Sequence, residues 1–315
     1  MSLQSPAPAT RLTGHSAARH SHCSLPLVNR ISAFAPVPTR QNVNRKVSPT
    51  TPDPMFNQSV EKAFAVLRAF DVGKSALNLA EIATAARITQ SSALRSIHTL
   101  VALGYLVRND HLHGWVLSPR TLTIGYPYLA SHAVIELATV HLVNLNQACG
   151  ESVSLSEPDG TEMVFIARFA SQKPFVIHMP VGRRLPMYCT SAGRAYLSTL
   201  PRDEVREVLR SSTLRALTPH TLTQIPQILE IIDSARELGY AWASEECYRG
   251  DLTVGAPIMG ADGRAIAAIN ISGPTSRWTS PDLRARLAPL LLETARAASG
   301  HVAAAARMGS TRRDL

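Results

Sequence analysis

Three short amphipathic segments in series constrain the N-terminal part of this 315-residue chain more than any other feature. In SVEKAFAVLRAF (59–70) the apolar residues recur at helical spacing: Val60, Ala63, Phe64, Leu67 and Phe70. Gly73 follows as a helix stop. Asn78 and Glu81 then have the spacing of a capping box, which predicts a second, shorter helix that buries Leu79, Ile82 and Ala83.

The third segment is TQSSALRSIHTLVALGYL (89–106), with Thr89 as a candidate N-cap and Gly104 as the stop. One side of this helix is predicted to be apolar: Ala93, Leu94, Ile97, Leu100 and Val101. YLVR and GWVL, on either side of the polar tip NDHLH, predict a hairpin. Three helices followed by a hairpin is the element order of a winged helix-turn-helix.

The polar face of the third helix carries hydroxyls, an arginine and a histidine, but no acid. Such a face suits the major groove, because phosphates repel carboxylates and Arg95 can reach guanine O6 and N7 together. A solvated face without function is the alternative interpretation. The predicted DNA-binding residues are Thr89, Gln90, Ser91, Ser92, Arg95, Ser96, His98 and Thr99.

Charge and cysteine usage add little to this prediction. Of the formal net charge of +9, the first 54 residues carry +5, and the basic residues are nearly all arginine, so we give the charge little weight. The four cysteines are scattered without a C-x-x-C pair, which is typical of a reducing cytoplasm rather than of a disulfide or zinc framework. No apolar run approaches the roughly 18 residues of a membrane span.

Residues 1–54 are rich in proline and lack an apolar period, so we expect them to be disordered. An acid-poor segment with Arg and Ser also resembles an organelle transit peptide. The interpretation that we favour is a translation start at Met55, which directly precedes the first helix. A natively expressed protein whose intact mass includes residues 1–54 would refute that interpretation.

The C-terminal part alternates between strand and helix patterns. Helices are predicted at VIELATVHLVNLNQACG, TSAGRAYLSTL, IPQILEIIDSARELG and PDLRARLAPLLLETARAAS. Strands are predicted at SVSLS, EMVFIAR, FVIHM, LTVGAPIM and RAIAAINIS, with turns at Pro158-Asp159-Gly160 and Asp262-Gly263. Antiparallel strands with helices at both ends of the segment predict an α+β domain.

Over residues 59 to about 305 the chain resembles the IclR-type bacterial transcription regulators. The resemblance is carried by SVEKAFAVLRAF, LNLAEIATAARITQSSALRSIHTLVALGYL, WVLSPRTLTIG, GESVSLSEPDGTEMVFIARF, VGRRLPMYCTSAGRAYLSTLP, ELGYAWASEE and GAPIMGADGRAIAAINISGP. The chain departs from the family at Thr89, Gln90 and Leu94, where Pro, Lys and His are frequent. The absent lysine removes the basis for one phosphate contact.

The resemblance implies a winged helix-turn-helix domain at 55–118, a linker helix at 119–135 and a GAF-like effector-binding domain at 136–308, with a disordered tail at 309–315. Pro127 falls inside the linker helix and predicts a break or kink near Tyr126. The resemblance also implies homodimers or pairs of dimers.

In the family the effector pocket lies between the start of the TSAGRA helix and the central sheet. Carried onto this chain, the pocket residues are Thr190, Ser191, Ala192, Glu246, Ala256, Asn270 and Ser272, with an apolar wall from Met179, Leu185, Met187 and Tyr188. The helix start offers free N–H groups to a carboxylate, and Asn270 and Ser272 alternate on one strand face. Plainer interpretations stay open: Thr190 and Ser191 as helix caps, and Asn270 as a buried amide with a protein partner.

Other polar residues of this domain receive plainer interpretations. Cys189 suits core filling. Arg183 and Arg184 could reach an anionic ligand, but the interpretation that we favour for them is a solvated turn after Gly182. His178 and His98 lack spaced partners, so we predict no metal and no cofactor.

We therefore predict a cytoplasmic, homo-oligomeric regulator that binds double-stranded operator DNA and no membrane, under control of a small effector. YCTSAGRA is similar to the subgroup that regulates aromatic-acid catabolism, including protocatechuate and 4-hydroxybenzoate regulators, which favours an aromatic acid. Alternatives are a non-specific architectural DNA-binding protein and an enzyme. The sequence lacks the G-x-S-x-G, H-E-x-x-H, Walker and G-x-G-x-x-G motifs, which disfavours the enzyme. The sequence leaves activation versus repression open.

Overall fold

The computed structural model describes residues 53–70, 76–174 and 177–311, with side chains through Met308. The N-terminal segment 1–52, the stop predicted at Gly73 and the first two residues of the strand predicted at FVIHM lie outside the described residues. The remaining residues of that stretch, Ile177 to Met179, belong to no strand. Across the described ranges, no helix is both long and apolar enough to cross a membrane.

The N-terminal part contains the three predicted helices and the hairpin. Helices α1 (Gln58–Arg68), α2 (Leu79–Ala86) and α3 (Gln90–Ala102) precede strands β1 (Leu106–Asn109) and β2 (Gly114–Leu117), which pair antiparallel. The capping box is present: Asn78 and Glu81 each accept a 3.0 Å hydrogen bond from the other's backbone N–H. Leu77 bridges to Trp115 and fastens the segment before α2 to the hairpin.

The buried faces of α1 and α3 contain fewer residues than the sequence predicted. On α1 the buried face is centred on Val66, while Val60 and Phe64 are 50% and 43% exposed. On α3, Ala93, Ile97 and Leu100 are buried, whereas Leu94 and Val101 are 50% and 39% exposed. Three short helices cover each other on one side only, so apolar residues at the edge of each stripe stay in solvent.

The linker breaks later than predicted. A 3-10 turn (Pro119–Thr121) leads into α4 (Leu122–Ala130), which continues through Pro127, and α5 (Ala133–Cys149) begins after a short gap. Ser131 is the C-cap of α4, and its N–H and its hydroxyl both donate to the carbonyl of Pro127, at 3.1 and 2.6 Å. The break therefore lies at Ser131 and His132, one turn beyond the expected position at Tyr126.

The C-terminal part is built on a six-stranded antiparallel sheet. Its strands are β3 (Ser152–Asp159), β4 (Glu162–Phe169), β5 (Arg184–Pro186), β6 (Ala241–Ser244), β7 (Asp251–Met259) and β8 (Ala265–Pro274). They lie in the order β5-β4-β3-β8-β7-β6. The predicted hairpin of β7 and β8 is present, but the two central strands are β3 and β8, so the hairpin lies to one side of the centre. The turn between β3 and β4 is shifted to Gly160 and Thr161, so that Asp159 still pairs in the strand. Strands β5 and β6 were not predicted, because each is only three or four residues long.

Helices cover both faces of this sheet. Helices α5 and α9 (Ser280–Thr311) pack on one face around Val153, Leu155, Ile269 and Ile271. Helices α6 (Ser191–Leu197), α7 (Arg202–Ser211) and α8 (Ile225–Leu238) form a second core on the other face. Sequence analysis did not predict α7. Helix α9 is described to Thr311, so residues 309–311 continue the helix rather than forming the predicted tail.

Candidate DNA-binding helix and ligand cavity

The polar face of α3 is presented to solvent. Thr89 is the N-cap, as predicted, and its hydroxyl accepts from the N–H of Ser92 at 3.3 Å. Six of the predicted residues are exposed: Thr89, Gln90, Ser91, Arg95, His98 and Thr99. Ser92 and Ser96 are only half exposed, and the Ser92 hydroxyl is engaged by Thr89 at 3.1 Å. The first turn of α3 contains no acidic residue.

The hairpin beside α3 carries further basic and polar side chains. Arg108 stacks on the ring of Trp115 with its guanidinium carbon 4.7 Å from the ring centroid. Its Nε also lies 3.3 Å from Asp110 at the hairpin tip, where His111 and His113 are exposed. This tip is the part of a winged domain that stands beside the recognition helix. No described residue of α3 forms an ion pair with this hairpin tip.

A cavity in the C-terminal domain lies between the start of α6 and one face of the sheet. With its opening it encloses about 490 Å³ free of protein atoms. Its lining residues are Phe165, Arg168, Ile177, Met179, Leu185, Cys189, Thr190, Ser191, Ala192, Ala243, Glu246, Cys247, Asp251, Thr253, Asn270 and Ser272.

Eight residues that the sequence assigned to a pocket or its wall line this cavity: Met179, Leu185, Thr190, Ser191, Ala192, Glu246, Asn270 and Ser272. Three others do not. Ala256 alternates with Gly255, which pairs with Asn270, so Ala256 faces the opposite core. Met187 and Tyr188 lie in the core around α6 to α8, where the Tyr188 hydroxyl donates to the carbonyl of Arg215 at 2.7 Å. Cys189, which the sequence assigned to core filling, is buried and also lines the cavity.

The glycine at position 255 of β7 allows the start of α6 to lie directly against the sheet. A Cβ atom at Gly255 would come within 2.7 Å of the backbone carbonyl of Ser191. Real Cβ atoms do not make such contacts, so a larger residue on β7 would push α6 away. Thr190 caps α6, since its hydroxyl accepts from the N–H of Gly193 at 3.2 Å. The cap interpretation of Thr190 is therefore confirmed.

The sheet face towards the cavity is unusually polar for a buried surface. Ser152, Ser154 and Ser156 alternate on β3 and are buried. In register, Ser154 pairs with Asn270, and Ser152 pairs with Ser272. Asn270 is 6% exposed and its side-chain oxygen has no hydrogen-bond partner in the described structure. An unsatisfied buried amide costs about 1–3 kcal/mol, which a bound donor would recover.

Arg168 brings a positive charge to this face. Its guanidinium donates to the carbonyl of Ile177 at 2.6 Å and, more weakly, to Ser152 and Ser154 at 3.3 and 3.4 Å. Within the described ranges it forms no salt bridge with a carboxylate. Burial lowers the pKa of the Arg168 guanidinium, while the nearby Asp251 opposes this shift.

Asp251 is the acidic counterpart at the edge of the same face. Ser272 donates to its carboxylate at 2.6 Å. Burial raises the pKa of Asp251 to about 6, despite this hydrogen bond and the positive charge of Arg168. The carboxylate is therefore close to neutralisation under mildly acidic conditions.

Glu246 lines the cavity but is already fully engaged. Its two oxygens accept from Nη1 and Nη2 of the buried Arg194 at 2.5 and 2.6 Å, and one also accepts from the N–H of Leu222. This bidentate pair joins α6 to the connection after β6. Glu246 therefore holds the cavity wall in place and leaves little capacity for a ligand.

Sequence reasoning missed Arg168 and Asp251. Arg168 lies in a strand that was predicted. The sequence did not show that Arg168 pairs with Ser154 and therefore lies on the sheet face towards the cavity. Asp251 directly precedes LTVGAPIM, the stretch predicted as a strand, and received no prediction. The alternation of the buried serines along β3 was the sequence pattern that could have indicated a polar face on this sheet. The described residues contain no group of three or more potential metal ligands.

Known proteins match this chain over both parts. The profile of "Bacterial transcriptional regulator IclR C-terminal" matches residues 126–300, and that of "IclR helix-turn-helix domain" matches residues 59–110. The Pca regulon regulatory protein of Pseudomonas putida is 31% identical over 266 residues, covering 84% of this chain and 90% of that protein. The p-hydroxybenzoate hydroxylase transcriptional activator of Acinetobacter baylyi is 32% identical, covering 74% and 88%. The crystal structure of Thermotoga maritima IclR has a TM-score of 0.60 at 26% identity, covering 78% and 99%.

Proposed function

This chain belongs to the IclR family of bacterial transcriptional regulators, and on that premise we propose that a small hydroxylated carboxylic acid in the C-terminal cavity controls its binding to a specific operator. Its relatives are regulators rather than enzymes. A regulator of bacterial genes works in the cytoplasm, where the chromosome lies.

The exposed face of α3 supports operator recognition. Short hydroxyl side chains at its N-terminal end allow close approach to the groove, and the exposed Arg95 extends from the next turn. A gel shift with the DNA flanking the gene tests this proposal. We expect a retarded complex that survives excess unrelated competitor DNA. Binding that any competitor abolishes would instead indicate an architectural DNA-binding protein.

Exposed apolar residues support assembly with a second copy. On α4, Leu122 and Tyr126 are 74% and 69% exposed, and α1 presents Val60 and Phe64. Leu122 and Tyr126 lie one turn apart on α4, and exposed apolar surface of this kind is typical of an interface. A dimer would also present two recognition helices to paired half-sites. We propose the same division for the whole chain: DNA-binding domain 55–118, linker 119–135 and effector-binding domain from residue 136.

The unpaired oxygen of Asn270 is the observation that carries the ligand proposal. It faces a cavity that also exposes the guanidinium of Arg168, which has no carboxylate partner among the described residues. A ligand with a carboxylate for Arg168 and a hydroxyl donor for Asn270 satisfies both groups. Ser191 and Ala192, where the sequence predicted a carboxylate site, line the same cavity and would add backbone donors for this carboxylate.

Apolar residues on the other side of the cavity favour an aromatic body for this ligand. Phe165, Met179 and Leu185 form one small buried cluster there. The two curated relatives named above regulate pca genes and p-hydroxybenzoate hydroxylase, according to their names. An aromatic hydroxy acid therefore fits the chemistry of the cavity and the relatives alike.

A thermal-shift panel on the full chain tests the ligand class. The panel contains benzoate, 4-hydroxybenzoate, protocatechuate and short aliphatic acids. A ligand at 100 times its Kd adds about 2.7 kcal/mol to the free energy of unfolding. We expect the hydroxylated aromatic acids to stabilise the protein most. Stabilisation by aliphatic acids alone would refute the aromatic assignment.

Two variants locate the ligand. Arg168→Met should abolish stabilisation by the carboxylates, and Asn270→Leu should abolish the effector response while operator binding persists. Arg210→Met, on the exposed face of α7, removes the same charge far from the cavity and serves as the matched control. A full ligand response in both cavity variants would show that the site is elsewhere.

A further inference from the structure

Two free cysteines lie side by side in the cavity wall. The sulfur atoms of Cys189 and Cys247 are 3.3 Å apart, and both residues line the cavity. Cys189 ends the 3-10 turn before α6, and Cys247 lies in the connection between β6 and β7. A disulfide needs sulfurs about 2.0 Å apart, so the two sulfurs must approach by only about 1 Å.

We propose that Cys189 and Cys247 are a thiol pair that hydroperoxides oxidise to a disulfide within the ligand cavity. In a reducing cytoplasm the pair stays reduced. A hydroperoxide is small enough to enter the cavity and supplies the two oxidising equivalents that a disulfide requires.

The reaction proceeds in two balanced steps. The Cys189 sulfur loses its proton and attacks one peroxide oxygen, the O–O bond breaks, and the other oxygen takes up a proton and leaves as water or alcohol, which yields a sulfenic acid on Cys189. The Cys247 sulfur then attacks the sulfur of Cys189 and forms the S–S bond. The sulfenic oxygen leaves with the Cys247 proton as water. The two thiols are oxidised by two electrons, and the peroxide is reduced by two.

The surroundings assign the order of the two sulfurs. The hydrogen bond with Cys189 raises the pKa of the Cys247 thiol well above its usual value, and burial raises it further. Cys247 therefore keeps its proton, which it donates to the backbone carbonyl of Cys189 at 3.3 Å. Cys189 is thus the sulfur that reacts first, and Cys247 resolves the sulfenic acid.

Cys149 is an internal control. It is also free and buried, and burial raises the pKa of its thiol. Its sulfur, however, contacts backbone groups of Asn146 and Glu151 and has no second cysteine beside it among the described residues. The same peroxide dose should leave Cys149 reduced.

Peptide mapping tests the disulfide. The reduced full chain is treated with hydrogen peroxide, alkylated and digested with trypsin. We expect peptide 185–194 linked to peptide 237–249, released again by dithiothreitol. Cys247→Ser should abolish the link and leave a sulfenic acid on Cys189 that dimedone captures, whereas Cys149→Ser should leave the link unchanged. The proposal is overturned if both sulfurs remain alkylatable, or if links join only other cysteines or separate copies.

The effect on the ligand rests on the proposed function. The disulfide ties the start of α6 to the β6–β7 connection and removes two thiols from the cavity wall. We expect oxidised protein to bind 4-hydroxybenzoate at least tenfold more weakly than reduced protein in a thermal-shift titration. Equal affinities would refute this effect. If reduced protein does not bind the probe, the ligand proposal fails for this probe, and the peptide map still decides whether the disulfide forms.

Discussion

The recognition helix and the ligand cavity use polar side chains in opposite ways. On α3, Ser91 and Arg95 are exposed to solvent, where water satisfies them, and we propose that DNA replaces this water. At the cavity and on the sheet face beside it, Ser154 and Asn270 are buried and Asp251 is half-buried, so these groups depend on protein partners or on a ligand. A change on α3 should therefore alter binding alone, whereas a change in the cavity alters folding and pH dependence as well.

The largest effect is expected at the buried pair of Arg194 and Glu246. Arg194→Ala would leave the Glu246 carboxylate buried without its partner, which destabilises the domain by about 3–5 kcal/mol. Urea unfolding followed by the fluorescence of Trp242 and Trp278 measures this loss. Arg202→Ala removes an exposed arginine of α7 and should cost less than about 1 kcal/mol. Equal losses in both variants would contradict the contrast between buried and exposed charge.

Asp251 should make stability fall as the pH rises. Its pKa is about 6 in the folded protein, above the unfolded value, so folding favours the protonated form. The penalty for its charge is absent below the unfolded pKa, near 4, and is fully present above pH 6. Asp251→Asn should therefore stabilise the protein by up to about 3 kcal/mol at pH 8, with the gain shrinking towards pH 4. A constant difference between these pH values would refute this origin.

Arg95→Ala tests the same comparison at the exposed face of α3. Loss of a bidentate base contact should weaken operator binding by about 1–3 kcal/mol and leave the unfolding free energy unchanged. Gel shifts with the operator and with unrelated DNA measure the specific part of this loss. Arg68→Ala, at the end of α1, is the matched control for one exposed arginine. Unchanged operator affinity in Arg95→Ala would remove this residue from the interface.

The smallest effect is expected at the capping box of α2. Asn78→Ala would leave the N–H of Glu81 without its acceptor and should cost about 1 kcal/mol of stability. Thermal unfolding of the full chain measures this loss, and Asn144→Ala on the exposed surface of α5 controls for loss of an amide. A cost as large as that of Arg194→Ala would mean that α2 depends on more than its cap.

The proposed DNA-binding face was easier to predict from the sequence than the cavity, because the two sites are built differently. One helix of consecutive residues carries the proposed DNA-binding face, so spacing, capping and the absence of acids were visible together. The cavity is lined by residues of β4, β5, β6, β7 and β8, and by the start of α6. Asn270 and Ser272 were predictable because they alternate on one strand. Arg168 lies on the same sheet face as Asn270 and Ser272 only because it pairs with β3. Ala256 was assigned to the wrong face, because the register of β7 and β8 was not known.

The sequence by itself determined the element order of the N-terminal part, the caps at Asn78, Thr89 and Thr190, and the resemblance to one family. These depend on interactions over a few residues, or on motifs in fixed order. The tertiary structure decided which stripe residues of α1 and α3 are buried, and where the linker breaks. It also decided that Glu246 pairs with Arg194 and that Cys189 meets Cys247. Those contacts join residues more than 50 positions apart, and only strand register and helix packing bring such residues together.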